Sequence, residues 1–265
     1  MHRTLSVAIP DSALTDETTK LAKARKISQM ARSIAIFGVR DILIYRDGDN
    51  QADRTLLLTI LNYMETPQFM RRQIFPKMSE LKFAGVLHPL AIPSHTTSSD
   101  VKDIKSGDIR EGLAVTIRGR RYVDVGVNHL FDVEGASRDG RVTVQFPPNI
   151  PIGTAQVISS DDISQYWGYS VRERSSITSL LREWSGRIII AARSGKTVTK
   201  SRIHSSYKDS TLVVFGSPQR DVRDIAGGRL QANNMIQLNF FPHQNTRTVR
   251  LEEAILGTLS ILNTL

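Results

Sequence analysis

The sequence predicts an α/β protein with a mostly parallel sheet, interrupted by a small β-barrel, and three observations predict it. Apolar strand-like runs alternate with helix-like spacing in residues 1–92. From 93 to 160 the pattern changes to short period-two segments separated by glycines and prolines. From 161 to 265 the α/β alternation returns. The expected organisation is therefore a discontinuous α/β domain, 1–92 and 161–265, with a β domain of residues 93–160 inserted in it.

Taken in order, Thr4–Ile9 reads as a buried strand stopped by Pro10, and Asp16–Phe37 has helical apolar spacing closed by Gly38. Asp41–Tyr45 is a second strand. Residues 46–50 form a polar turn, and Gln51–Met64 is helical up to the break before Pro67. Prolines at 89 and 93 and the Ser/Thr cluster of 94–99 mark the boundary of the insert. Within it, Leu113–Ile117, Tyr122–Val127, Arg141–Phe146 and Thr154–Ile158 alternate in polarity around turns at Gly119, Gly135, Gly140 and Pro147-Pro148. Four or five short strands in about 70 residues suit a five-stranded, OB-like barrel. After Trp167, Ser175–Trp184 reads as helix, and Arg187–Ala192, Thr211–Phe215 and Met235–Leu238 as strands. Val249–Leu262 is a terminal amphipathic helix.

The chain is basic, with formal net charge +9 and a pI near 10.0, which suits a polyanionic partner such as a nucleic acid. Lys and Arg outnumber Asp and Glu 13 to 9 in residues 1–92 and 14 to 9 in 161–265, but balance 8 to 8 in 93–160, so the surplus lies outside the insert. With no cysteine there is no disulfide framework and no thiolate ligand or nucleophile, and the histidines show no ligand-like pairing, so no metal is expected. No apolar run has the length of a membrane span, and the first residues lack the apolar stretch of a signal peptide. The expectation is a cytoplasmic protein with no membrane partner.

Ser194-Gly195-Lys196-Thr197 resembles the end of a phosphate-binding loop, but the first glycine of that motif is replaced by Ile190. No G-x-G-x-x-G follows a strand, and no G-x-S-x-G elbow is present. Two other stretches each carry a buried strand into a tight polar loop and then a helix. They are Phe215-Gly216-Ser217-Pro218-Gln219-Arg220 and the segment from Phe241-Pro242 through Thr246-Arg247-Thr248-Val249-Arg250 to Glu253-Ala254. Ligands of α/β sheets settle at such carboxyl ends of strands.

On these two stretches, F-G-S-P-x-R and F-P-x-Q-x-T-x-T-V-R-x-E-E-A, the chain resembles the SPOUT class of RNA methyltransferases, in its archaeal and eukaryotic branch with an OB-like insert. The resemblance covers nearly the whole chain. It departs from the pattern at Asp221, where glycine is common, and at His243 and Asn245, where Asn and Gly are frequent; Asn245 can adopt the left-handed backbone that a glycine supplies. The class implies a deep trefoil knot formed by the C-terminal segment, a homodimer, and S-adenosylmethionine as cofactor.

By that resemblance the adenosyl group lies against Ala191, Ala192 and Arg193, against Phe215, Gly216 and Ser217, and against Leu238, Asn239, Phe240 and Phe241, while Pro242, Thr246 and Thr248 shape the pocket. Arg193 and Arg250 are candidates to contact phosphate or base, with Arg193 placed in a loop beside Gly195 and Lys196, and Glu253 is a candidate acid-base or orienting group. In the insert, Arg118, Arg120, Arg121 and Tyr122 around Gly119 suit an RNA backbone and a stacked base. On the terminal helix, Leu251, Ile255, Leu259 and Leu262 form one apolar stripe and Ala254, Thr258, Ile261 and Leu265 a second, enough to cover the sheet and meet a second subunit. The function implied is methylation of a base in RNA, with ribosomal RNA and uridine N3 as the expected target. Two other readings are a non-catalytic RNA-binding protein that uses the insert on a knotted scaffold, and an acetyl- or nucleotidyl-transferring α/β enzyme.

Overall fold

The computed structural model describes residues 4–96, 98–136, 138–148, 153–204, 210–228, 230 and 234–264. They form two compact units: residues up to 65 with 78–90 and 168 onward, and residues 66–77 with 91–167.

The first unit is built on a six-stranded sheet, parallel at every pairing, in the order β11-β9-β10-β1-β2-β8. Its strands are β1 (Thr4–Pro10), β2 (Asp41–Tyr45), β8 (Ser170–Arg174), β9 (Arg187–Thr197), β10 (Ser210–Phe215) and β11 (Met235–Asn239). The central strands carry apolar runs, Val7–Ile9, Ile42–Tyr45, Ile188–Ile190 and Leu212–Phe215, because both faces are covered there. One face, with Ala8, Leu43, Ile188, Ile190, Leu212 and Val214, packs against α4 (Ile177–Glu183) and α6 (Val222–Ile225). Residues of the other parity, including Val7, Ile9, Ile42, Ile44, Ile189 and Val213, are fully buried too. The long helices α1 (Lys20–Ile36), α2 (Gln51–Glu65) and α7 (Leu251–Asn263) belong to this unit, with α1 packed against both of the others. Short helices α3 (Arg71–Ile74), in the second unit, and α5 (Lys200–His204) complete the set.

The second unit is a closed barrel of β3 (Ile109–Ile117), β4 (Arg120–Asp124), β5 (Leu130–Glu134), β6 (Gly140–Gln145) and β7 (Thr154–Ile158), ordered β3-β4-β5-β7-β6. Only the β5–β7 pairing is parallel. Phe131 and Phe146 meet edge to face inside it, with centroids 4.9 Å apart. Glu111, buried in its wall, is satisfied by the Trp167 indole at 2.6 Å, the Thr143 hydroxyl at 2.7 Å and Arg141 at 2.5 Å.

Several expectations change. The first helix begins at Lys20 rather than Asp16, because residues 13–17 close a run of tight turns and Thr19 caps the helix by accepting the Ala22 N–H at 3.1 Å. Strand β8 was not expected: Ser-Val-Arg-Glu-Arg is too polar to read as strand, but it is the edge of the sheet beside β2. Strand β4 starts at Arg120 and ends at Asp124, where Gly126 (φ 83) turns the chain. Helix α7 starts at Leu251, not Val249. Strand β9 runs to Thr197, so Arg193, Gly195 and Lys196 lie within a strand and not in a loop.

Candidate functional site

That long strand is irregular in a way that builds a site. Ile190 stands opposite Gln237 of β11, but the next residue of β11, Leu238, stands opposite Lys196. Residues 191–195 therefore bulge out of the ladder with β11, while Ala191 still pairs with Phe215 of β10. The bulge returns at Gly195, where a Cβ would come within 2.6–2.8 Å of the Leu238 backbone. Close approach of two backbones, not a phosphate, explains this glycine. Asn239 ties the parts together: its amide donates to the Arg193 carbonyl at 3.0 Å, and its Oδ1 accepts the Phe241 N–H at 2.9 Å.

Beside the bulge, at the carboxyl ends of β9, β10 and β11, lies a cleft of about 250 Å³. That is room for a nucleoside-sized ligand, since one water occupies roughly 30 Å³ of liquid. Ala191, Ala192 and Arg193 line it from β9; Phe215 to Asp221 from the loop after β10; Asn239, Phe240, Phe241, Gln244, Arg247, Thr248 and Val249 from the loop after β11; and Leu251, Ala254 and Thr258 from α7. The loop after β10 is folded on itself: the Ser217 N–H donates to the Arg220 carbonyl and the Arg220 N–H to Ser217 Oγ, both at 2.9 Å. Phe241 lies against α7 at Gly257, where a Cβ would come within 2.5 Å of its ring.

Ten of the residues singled out in the sequence are brought together here: Ala191, Ala192, Arg193, Phe215, Gly216, Ser217, Asn239, Phe240, Phe241 and Thr248. Leu238 is wholly buried and outside the lining, Pro242 is exposed outside it, and Thr246 turns inward on its own loop to donate to the Thr248 carbonyl at 3.0 Å. Arg250 and Glu253 are also outside the lining. Glu253 accepts the Arg250 backbone N–H at 2.9 Å and so caps α7, and the Arg250 side chain pairs with Glu17 at 3.2 Å. Arg220, Gln244, Arg247 and Thr258 line the cleft without having been singled out as site residues. The run of exposed arginines around it was a usable signal, whereas Thr258 carried none.

Arg118, Arg120, Arg121 and Tyr122 belong to the barrel unit. Arg118 (φ 49) and Gly119 (φ 78) form the tight turn between β3 and β4, both in the left-handed backbone that two-residue hairpins require. Arg120 stands across from the exposed Ile117, and Tyr122 lies between Val115 and Asp132. Of the second apolar stripe on α7, Ala254 and Thr258 face the cleft and Leu265 lies outside the described residues; the exposed apolar residue of this helix is Leu256, 46% accessible.

Three arginines against one carboxylate, Asp221, make the cleft basic. Asp221 is itself engaged as the cap of α6, accepting the Asp224 N–H at 2.9 Å. Among the described residues no group of three His, Asp or Glu side chains is placed to hold a metal. Under the cleft, the fully buried Tyr45 phenol donates to the Phe215 carbonyl at 2.6 Å. Burial pushes its pKa well above the usual range, Asp47 and Asp11 push it the same way, and Arg220 opposes them.

Comparison with known proteins gives this geometry a chemistry. A curated human protein named 28S rRNA (uridine-N(3))-methyltransferase is 30% identical over 98% of this chain and 77% of its own length. Its mouse counterpart of the same name is 29% identical over 98% and 76%. A protein of Halobacterium salinarum is 28% identical over 98% of both chains. The model of one family, described as "Putative RNA methyltransferase", matches residues 4–262. A match over nearly every residue, cleft loops included, places the chain in that family: it is an RNA methyltransferase.

Proposed function

We propose that the chain transfers the methyl group of S-adenosylmethionine to N3 of a uridine in ribosomal RNA, in the cleft at the ends of β9, β10 and β11. The observation that carries this reading is the coincidence of that cleft with a chain-long similarity to relatives named for this reaction. The lining suits the cofactor. Phe240, Phe241, Ala191, Ala192 and Leu251 offer apolar surface to an adenine ring, Ser217, Asn239, Gln244 and Thr248 offer hydrogen-bonding groups, and Arg193 and Arg247 suit a carboxylate.

Bound there, S-adenosylmethionine supplies an electrophilic methyl on a sulfonium. The protein's part is to align the nucleophile with that methyl. Uridine N3 carries a proton that must leave, and among the described residues that line the cleft the one carboxylate, Asp221, already caps α6. Arg193 and Arg247, both exposed, instead favour the anionic form of the base electrostatically, and the proton passes to solvent. Arg250 and Glu253 act at one remove by fixing the start of α7.

We further place the α/β unit in the SPOUT class, with its C-terminal segment threaded as a trefoil knot, and read the barrel as OB-like. The two motifs quoted above and the all-parallel sheet support the first; the closed order β3-β4-β5-β7-β6, with β5–β7 alone parallel, supports the second. We propose domain limits of 1–92 with 161–265, and 93–160, although 66–77, 91–92 and 161–167 cluster with the barrel. The barrel is read as the RNA-binding part, through Arg118, Arg120, Arg121 and Tyr122. The chain is proposed to work as a homodimer, which the exposed Leu256 of α7 and Ile36 of α1 support.

Incubation with labelled S-adenosylmethionine and ribosomal RNA from a strain lacking the enzyme, followed by nucleoside mass spectrometry, tests the reaction. 3-Methyluridine is expected. Methyl incorporation at another atom would overturn the uridine N3 assignment, and absence of binding in a calorimetric titration with S-adenosylmethionine would overturn the cofactor.

A further inference from the structure

The carboxyl ends of β1 and β2 carry charges that neither the motifs nor the reaction explain. Asp11 follows β1 and Asp47 follows β2, and neither carboxylate has any exposed surface. Asp11 Oδ2 pairs with Arg54 of α2 at 3.0 Å, and its Oδ1 accepts the backbone N–H of Asp47 at 3.0 Å. The Asp47 carboxylate in turn accepts from the Ser12 hydroxyl and from the Arg220 guanidinium. Arg220 also donates to the Asp47 backbone carbonyl at 3.0 Å. Arg220 ends the F-G-S-P-x-R stretch and lines the cleft.

The loop after β10 is thus fastened to the end of β2 at both of its ends. Tyr45 holds the Phe215 carbonyl, and Asp47, two residues on, holds Arg220. Gly216 to Gln219 are suspended between the ties and form one wall of the cleft. Burying two carboxylates carries a desolvation cost that well-packed apolar residues avoid, so stability is a poor explanation for them. What the arrangement does provide is a single position for an arginine that is otherwise 49% exposed, and with it a single shape for the loop.

We propose that Asp47 is a positioning residue for the methyl donor: through Arg220 it holds residues 215–220 in the donor-binding shape. The proposal rests on the reading that this cleft binds S-adenosylmethionine. It makes the end of β2, remote in sequence from both motifs, part of the binding machinery.

The test uses the full chain with three variants, Asp47→Asn, Arg220→Gln and the double substitution. Calorimetric titration with S-adenosylmethionine and steady-state methylation of ribosomal RNA are the measurements. Loss of one charge-assisted hydrogen bond at a half-exposed site predicts that each single variant binds S-adenosylmethionine about tenfold more weakly. The KM for the donor rises by the same factor while the KM for RNA stays put, a split that general loosening of the fold would not produce. The double variant is no worse than either single one, because both break the same tie. Arg220→Lys, which keeps a charge within reach of Asp47, recovers part of the loss. Arg220 is half exposed, so Arg220→Gln reports even where Asp47→Asn folds poorly. Wild-type donor affinity in Arg220→Gln, or additive losses in the double variant, would overturn the proposal while leaving the donor site intact. Failure of the unmodified chain to bind S-adenosylmethionine would instead remove the donor-site reading, and the proposal with it.

Discussion

Replacing Gly216 by alanine probes the loop after β10 with a single carbon. A glycine leaves room for a ligand to approach the backbone closely; the geometry adds a reason internal to the protein. A Cβ at 216 would stand 2.6 Å from the Arg220 carbonyl oxygen and 3.0 Å from the Asp221 Cα. Both are backbone atoms, so no side chain can swing aside, and the loop must open by roughly half an ångström, an overpacking cost of about 1–3 kcal/mol. Opening it stretches the Ser217 N–H to Arg220 carbonyl bond of 2.9 Å, a further net loss of about 1 kcal/mol. A total near 2–4 kcal/mol has two places to appear. If the loop keeps its shape, the strain lowers stability, and Tm falls by about 4–16 °C for a chain of this size. If the loop gives way, the fold is spared and affinity for S-adenosylmethionine falls by about thirtyfold or more. Differential scanning calorimetry and a donor titration on the same sample measure both. A Gly216→Ala protein with wild-type Tm and wild-type donor affinity would refute the argument, since the steric cost would then have gone nowhere.

Three further outcomes follow from the same structure. Gly195→Ala forces the bulge of β9 away from the Leu238 backbone, so a destabilisation of about 1–3 kcal/mol in urea unfolding is expected; a neutral substitution would show that the two strands do not approach so closely. Lys26 is 2% exposed and lies between Asp16 and Glu252, 3.4 Å from the latter, so Lys26→Met removes a partner from both carboxylates and should cost about 1–3 kcal/mol, Asp16 keeping some solvent and Glu252 keeping Arg250 at 3.8 Å, against no loss if the pairs are dispensable. The buried Tyr45 phenol has its pKa raised, so folding favours its protonated form; its contribution is complete below the unfolded value of about 10 and is lost as pH rises through the higher folded value. Urea midpoints of the wild type should therefore fall more steeply above pH 10 than those of Tyr45→Phe, and parallel curves would contradict the burial argument.

The α/β alternation, the inserted barrel and the two loop motifs were legible in the sequence because each is written locally: apolar periodicity fixes an element, and a glycine or proline ends it. The cleft segments were found for the same reason, since Phe215–Arg220 and Phe241–Thr248 each follow a strand directly. What tertiary structure alone decided are pairings between distant residues. The polar β8 is a strand only because β2 offers it a ladder, and residues 191–195 bulge only because β11 resumes its pairing with β9 six residues on, at Lys196. Arg250 and Glu253, chemically plausible at a reaction centre, are drawn off by the start of α7 and by Glu17. Asp47 and Arg220, 173 residues apart, meet because β1 puts the ends of β2 and β10 on its two sides, and no local pattern in either segment announces it. Propensity and motif act along the chain, whereas a buried charge finds its partner through the order of strands in the sheet.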